Sequence, residues 1–350
     1  MRILILASAV GRFGDGVTGG VSRYATAMVE ALKAADHAVL LLVPEGSDMP
    51  PGLEAHQVRG SFQASAAIAD RDIHPLPANS VLTAMLDWAH ENRAQFDRII
   101  NLNHDYLPVF ATGHFDGKLL HIPNLTSSDA ATDQLIAQRY GDYPDRFAAI
   151  SEFQANKLGL AGAPVLWFGM ASQPAWLPPQ DQAPIFWSGR ITPEKGLEAA
   201  AAIAAKAGRT LTVAGHIENP DYFASVTDRF GEVVDHKGYL PLADLQTLCS
   251  EACATLQTQS WEEALGLTTI EALAAGTPVI AFDRGANGEI IQDGVNGFLI
   301  TPGDLEGAAA AMDRLGELDL QAMAVDFQER FSIGAFQARL LEWIRQTKDK

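Results

Sequence analysis

Two glutamates, Glu263 and Glu271, flank a Gly266-Leu267-Thr268 core in the stretch Trp261-Glu262-Glu263-Ala264-Leu265-Gly266-Leu267-Thr268-Thr269-Ile270-Glu271. The residues behind it, Ala272-Leu273-Ala274-Ala275-Gly276-Thr277-Pro278-Val279-Ile280, read as a helix, a glycine stop and a buried strand. Glu263 then falls in the loop entering the helix and Glu271 inside it. Both carboxylates can face a ligand at the helix N-terminus, where free amides and the macrodipole favour an anion. A carboxylate only accepts hydrogen bonds and suits vicinal hydroxyls. A sugar and a ribose joined through a diphosphate would fill such an arrangement.

A second group lies upstream, in Ser188-Gly189-Arg190-Ile191-Thr192-Pro193-Glu194-Lys195-Gly196-Leu197-Glu198. A strand delivers Arg190 and Lys195 to one loop ahead of a helix. Arginine offers a planar fork to phosphate oxygens and lysine a compact charge. The competing role for both is to pair with Glu194 and Glu198.

The elements that must position these groups follow an alternation of apolar runs and amphipathic helices, which predicts parallel sheets covered on both faces. Strands are expected at 2–8, 38–43, 98–102, 118–122 and 147–150, with helices at 21–35 and 81–96 between them. A Pro-rich segment around Gln173–Gln180 interrupts the rhythm, which restarts at 184–190. Strands at 210–214, 233–236, 254–257, 278–282 and 297–300 follow, and a final helix at 333–346. The expected division is an N-terminal Rossmann-like domain over 1–170, a linker over 171–183, a C-terminal Rossmann-like domain over 184–330, and a tail over 331–350 whose helix packs back on the first domain.

A chain of 350 residues with 47% hydrophobic and 19% charged content suits a globular enzyme of two domains. Its net charge of −18 argues against nucleic acid and against anionic lipid, both of which call for basic clusters. No apolar run is long enough to span a bilayer, and the short N-terminal one runs into a Gly-rich loop as a first strand would, not a signal peptide. Cys249 and Cys253, the two cysteines, are expected on one helix as buried reduced thiols of a cytoplasmic protein, too few for a zinc site.

The Gly-Arg-x-x-x-x-Lys-Gly loop, the paired glutamates and the run Arg284-Gly285-Ala286-Asn287-Gly288-Glu289-Ile290-Ile291-Gln292-Asp293-Gly294-Val295-Asn296-Gly297-Phe298-Leu299 together resemble the family 4 glycosyltransferases. The resemblance implies an α/β chain of the GT-B class, two Rossmann-like doubly wound domains facing a central cleft. It implies a retaining, metal-independent hexosyl transfer that takes a UDP-sugar as donor substrate and needs no cofactor. By the same resemblance Arg190 and Lys195 bind the donor diphosphate, Glu271 holds the ribose hydroxyls and Glu263 meets the transferred sugar. Amides around Gly266, Leu267 and Thr268 orient that sugar, and the loop at Leu240 receives the nucleobase. The partners are a nucleotide sugar and a small-molecule acceptor. Two departures stand out: Phe168-Gly169 where the family often has Asn-Gly, and Gly285-Ala286 where it has Gly-Gly.

In the first half, Gly14-Asp15-Gly16-Val17-Thr18-Gly19 satisfies a dinucleotide fingerprint, with Glu45 placed as a ribose acceptor. The loop leaves the strand too late for that fingerprint, and the resemblance makes Gly19-Gly20 the turn that closes over the diphosphate. His121, at a strand end, matches a family histidine near the reacting centre, with a structural histidine as the alternative. Asn103, His104 and Asp105 end another strand and are assigned to the acceptor. Asp70-Arg71-Asp72 has the shape of a metal–diphosphate motif but reads as a solvated turn. Within the family, the segments Leu76–Leu82, Asn101–Pro108 and Arg190–Glu198 are similar to the UDP-glucose:tetrahydrobiopterin glucosyltransferases, which makes the side chain of a pterin the expected acceptor. The alternatives are a family 4 enzyme acting on a saccharide or other metabolite, a sugar-nucleotide epimerase, and an NAD-dependent oxidoreductase.

Overall fold

Eleven strands among the described residues of the computed structural model, which are 1–14, 19–63, 76–172 and 182–347, form two all-parallel sheets. The first joins β1 (Arg2–Leu6), β2 (Ala38–Pro44), β3 (Ala55–Val58), β4 (Arg98–Asn101) and β5 (Leu119–His121) in the order β3-β2-β1-β4-β5. The second joins β6 (Ile185–Ser188), β7 (Leu211–Ala214), β8 (Val234–His236), β9 (Ala254–Gln257), β10 (Val279–Phe282) and β11 (Gly297–Ile300) in the order β11-β10-β9-β6-β7-β8. Each sheet reverses its order beside its first strand: β1 lies between β2 and β4, and β6 between β7 and β9. Connections leave such a point toward opposite faces, which opens a crevice at the strands' carboxyl ends.

Helices cover both faces of the sheets, so the inner strands are largely apolar. Ile3, Leu4, Ile5 and Leu6 have no exposed surface, and neither do Ile185, Leu211 and Val279. Helices begin where short polar side chains accept from their first amides: Ser80 for Val81–Glu91, Asp129 for Ala130–Asp142, Asn219 for Pro220–Phe230 and Asp304 for Leu305–Met312.

The chain divides into two compact units, Met1–Gly169 with Phe336–Lys350, and Met170–Ala335. The terminal helix Ile333–Gln346 buries Phe336, Leu340, Trp343 and Ile344, an apolar stripe at helical spacing. From Phe336 onward it belongs to the first unit. There the Phe336 ring meets Tyr24 edge-on at 5.5 Å, and Gln337 donates to the Ala31 carbonyl at 2.7 Å. Arg98 reaches the Thr347 carbonyl at 2.9 Å. Phe168, the departure from Asn-Gly, is buried and packs on Tyr24 at 6.1 Å.

Three local expectations need correction, and one strand, β3, had none. Residues 147–150 form no ladder; Phe147 and Ala149 make single bridges, to His121 and Val165. The short edge strand β3 has no apolar run to announce it, because His56 and Gln57 face solvent. The helix expected over 81–96 ends at Glu91, and Arg93–Gln95 forms a separate tight turn. Cys253 lies beyond the helix Leu242–Ser250 that carries Cys249. Both thiols are free and buried, and burial raises the pKa of each. The expected linker, the Gly14–Gly19 loop and Asp70-Arg71-Asp72 lie largely or wholly outside the described residues.

Candidate functional site

At the reversal of the second sheet, β6 ends on Ser188 and leads into the loop carrying Arg190 and Lys195. The loop closes on Gly196, in the left-handed conformation at φ +77°. A Cβ there would lie 2.0 Å from the Thr258 carbonyl oxygen just beyond β9, so only glycine lets the loop and the strand end approach this closely. Thr258 clamps the contact by donating to the Gly196 carbonyl at 2.8 Å.

Lys195 then forms an ion pair with Glu263 and sits over the Trp261 ring at 4.9 Å. Arg190 pairs with Glu218 at 2.7 Å and more loosely with Glu194 at 3.9 Å. The partners weighed from the sequence are thus half right. Glu198 instead pairs with Arg229, and its amide donates to the Tyr222 hydroxyl. Glu218 follows β7 by a few residues, and nothing in its sequence setting marks it as a partner of Arg190.

The backbone of Glu263 is gripped from the third side of the site. Gly285, at φ +62°, lies so close that a Cβ would meet the Glu263 nitrogen and oxygen at 2.6 Å each. The amide of Ala286 donates to the Glu263 carbonyl at 3.0 Å. Ala286 itself is in the right-handed region at φ −74° and accepts its methyl without strain. The departure from Gly-Gly therefore leaves the clasp on Glu263 intact.

Helix Leu267–Ala274 begins at Gly266, again left-handed at φ +76°, with no side chain capping its first amides. Glu271 is 9% exposed and lines a small hollow with Thr268, Ser188, Phe186, Leu242 and Gln246. Leu242 starts the helix that follows Lys237-Gly238-Tyr239-Leu240, so the expected nucleobase loop borders the same hollow. One unit thus brings together Arg190, Lys195, Glu263, Glu271, the Gly266–Thr268 turn and the Leu240 loop.

The first unit treats its expected site residues differently. His121 is wholly buried, stacked on Phe147 at 4.8 Å. Its Nε2 lies 3.0 Å from the Thr112 hydroxyl, whose own proton points to the Val109 carbonyl at 2.6 Å. Nε2 must therefore carry the ring proton, and Nδ1 accepts from Asn101 at 3.3 Å. Desolvation lowers its pKa to about 3, so the ring stays neutral. The expectation that His121 meets substrate is corrected: both nitrogens are taken and no edge reaches solvent.

Asn103 is likewise occupied, accepting from the Ala9 amide at 2.8 Å and donating to the Ala7 carbonyl at 2.9 Å. It braces the end of β1, which removes it from the acceptor set. Asp105 caps Tyr106–Phe110 and accepts from Gln63 at 2.9 Å. His104 has a buried side chain, 1% exposed, with Nε2 3.5 Å from Asp133. Gly19 and Gly20 open the helix Gly19–Ala34, and the space beside Gly19 is clear.

Residues 171–332 match the family described as "Glycosyl transferases group 1". A D-inositol 3-phosphate glycosyltransferase of Nocardioides sp. is 31% identical over 198 residues, which is 49% of this chain and 42% of that protein. A glycogen synthase of Mycobacterium tuberculosis is 31% identical over 137 residues, 37% of this chain and 33% of the other. The chain thus spans less than half the length of these curated relatives. Among solved structures, a glycosyltransferase from Rickettsia africae superposes at TM-score 0.75 with 18% identity, covering 99% of this chain and 98% of its own. Anabaena HepE in complex with UDP and glucose does so at 0.70 with 17% identity, covering 99% of each. At such identity the likeness concerns the fold, which is GT-B: two parallel-sheet α/β Rossmann-like domains. Among the described residues no helix is long and apolar enough to cross a membrane.

Proposed function

We propose that this chain transfers a hexose from a nucleotide sugar to a hydroxyl of a small molecule, with retention of anomeric configuration. The observation that carries the proposal is Lys195 paired with Glu263 beside the open first turn of helix Leu267–Ala274, with Glu271 buried one helical turn further on. A diphosphate over that turn would meet Lys195, Arg190 and the helix amides. The ribose hydroxyls would find Glu271, and the sugar hydroxyls Glu263.

As the bond from the anomeric carbon to the phosphate oxygen breaks, negative charge grows on the diphosphate, where the two cations and the amides stabilise it. The acceptor oxygen bonds to the anomeric carbon on the same face, and its proton passes to the departing phosphate oxygen. No protein base is needed, which agrees with a His121 that is closed to substrate. In its finer form the proposal takes UDP-glucose as donor and the side-chain hydroxyl of a tetrahydrobiopterin-like pterin as acceptor.

The test is UDP release from UDP-glucose with and without the reduced pterin, followed by the anomeric configuration of the product by NMR. Pterin-dependent release and a retained product support the full proposal. An inverted product sinks the mechanism, and conversion of the donor to its epimer without acceptor makes the protein an epimerase. Donor binding with release only toward other hydroxylated molecules discards the pterin alone.

A further inference from the structure

Strand β9 is apolar where it crosses the sheet and then turns polar. Leu256 lies in the core of the unit, but Gln257 and, two positions on, Gln259 are buried at 6% and 3% exposure. Alternation puts Gln257 on the face of β9 on which Thr255 meets Cys249 at 3.4 Å. Buried carboxamides nearly always find partners for all their polar atoms. Here the Gln257 oxygen accepts from the Thr268 hydroxyl at 3.1 Å, but among the described residues its Nε2 has no partner, and neither does Nε2 of Gln259. The Trp261 indole N–H, further along the same segment, is also buried with no partner among the described residues.

These donors stand at the carboxyl end of β9, the strand beside β6 at the order reversal, where ligands of doubly wound sheets bind. Thr268, which holds the Gln257 oxygen, is in the first turn of helix Leu267–Ala274 and lines the hollow beside Glu271. A wall of donors next to a lysine and a helix N-terminus calls for a ligand rich in acceptors and negative charge. The acceptors that a sugar's hydroxyls need are supplied by Glu263 and Glu271 instead.

We propose that Gln257 is a binding residue for the diphosphate: its Nε2 donates to a phosphoryl oxygen of a nucleoside diphosphate seated over the first turn of helix Leu267–Ala274. The assignment rests on the nucleotide-sugar reading above and adds to it a residue that the paired glutamates and the basic loop do not include. The Thr268 hydroxyl fixes the carboxamide's orientation before the ligand arrives.

The test compares UDP and uridine, by calorimetry and ligand-observed NMR, on the full chain and its Gln257→Leu and Gln257→Glu variants. Leucine removes the donor and is expected to weaken UDP about tenfold, in the range of a hydrogen bond to a charged group, while leaving uridine unchanged. Glutamate keeps an acceptor for Thr268 but opposes the phosphate, so its loss of UDP affinity exceeds that of leucine. UDP bound equally by parent and Gln257→Leu overturns the assignment, and so does a parallel loss of UDP and uridine. A Gln257→Leu protein that melts clearly below the parent assigns the carboxamide to packing and overturns it as well. Should the parent bind none of UDP, ADP and GDP, the nucleotide-sugar reading itself falls, an outcome distinct from failure of Gln257 alone.

Discussion

Between β1 and β4 the side chain of Asn103 takes one amide and gives to one carbonyl of the neighbouring strand end, whereas at the end of β9 the carboxamides of Gln257 and Gln259 each keep a buried NH2 without a partner among the described residues. Both places are order reversals of a parallel sheet, and both lie at strand carboxyl ends. In the first, Asn101, Asn103, His121 and Thr112 form a closed set of hydrogen bonds. In the second, glycines at 196 and 266 hold two loops near a strand end that is one set of partners short. A satisfied polar network fixes the backbone around it, while an unsatisfied one beside a cation and a helix end is shaped for a ligand. The same topology can thus carry a closed network or an open one, and the hydrogen-bond inventory tells them apart.

The largest effect is expected from the second reversal. Lys195→Met removes the cation proposed to face the diphosphate and lies wholly within the second unit. It should lower kcat/KM for transfer by about a thousandfold, on the order of 4 kcal/mol of transition-state stabilisation. Steady-state kinetics with UDP-glucose check this. A variant within tenfold of the parent would remove Lys195 from the reaction and leave it as a partner for Glu263.

Paired substitutions sharpen the contrast. Asn103→Leu strands the Ala9 amide and the Ala7 carbonyl in a buried setting and should cost about 3 kcal/mol of stability, without changing UDP affinity. Gln257→Leu replaces a half-satisfied amide by an apolar side chain of similar size, so stability should stay level or rise slightly. Denaturant melts followed in parallel with UDP titration separate the two. Equal destabilisation by both changes would erase the distinction between brace and site.

His121 tests the brace through pH. Its folded pKa of about 3 lies below the ordinary 6.5, so the native ring is neutral and the unfolded ring takes a proton first. The stability due to this difference is intact above pH 6.5 and is lost as pH falls from there toward 3, at about 1.4 kcal/mol per pH unit. Unfolding free energies between pH 7 and pH 5 (about two units below neutrality) should show that slope in the parent and not in His121→Leu. A transfer rate that followed the same titration would return His121 to the reaction.

What the sequence made legible follows the same division. The groups proposed to hold the donor are local: Arg190 and Lys195 share one loop, Glu263 and Glu271 one loop and helix, so spacing along the chain is enough to place them near one another. Most strands of the inner sheets were legible because two-sided burial makes them continuous apolar runs. Edge strand β3 was not, because His56 and Gln57 are exposed, and the apolar stretch at 147–150 is buried by packing without joining a ladder. His121 and Asn103 misled for a physical reason: a polar residue at a strand end looks the same whether it serves a ligand or closes a network, and its partners Thr112, Val109 and Ala9 are set by the fold. Gln257 carries only a weak signal in the sequence, one of two glutamines two positions apart at the end of β9. The partner of Arg190, across the neighbouring strand at Glu218, left none.

That partner offers the smallest and most discriminating test. Arg190 and Glu218 are each about one-third exposed, at 34%, so water screens their 2.7 Å contact and the pair contributes no more than about 1 kcal/mol. A diphosphate must draw the same guanidinium away from Glu218 or share it. Glu218→Gln weakens that competitor while keeping a side chain of the same shape, so UDP affinity should rise about two- to fivefold, with the gain shrinking as salt is added. Arg190→Met made alone should lower affinity, and combined with Glu218→Gln it should abolish the gain. If Glu218→Gln instead weakens UDP, the glutamate orients Arg190 for the phosphate, and the second reversal contains a brace of its own.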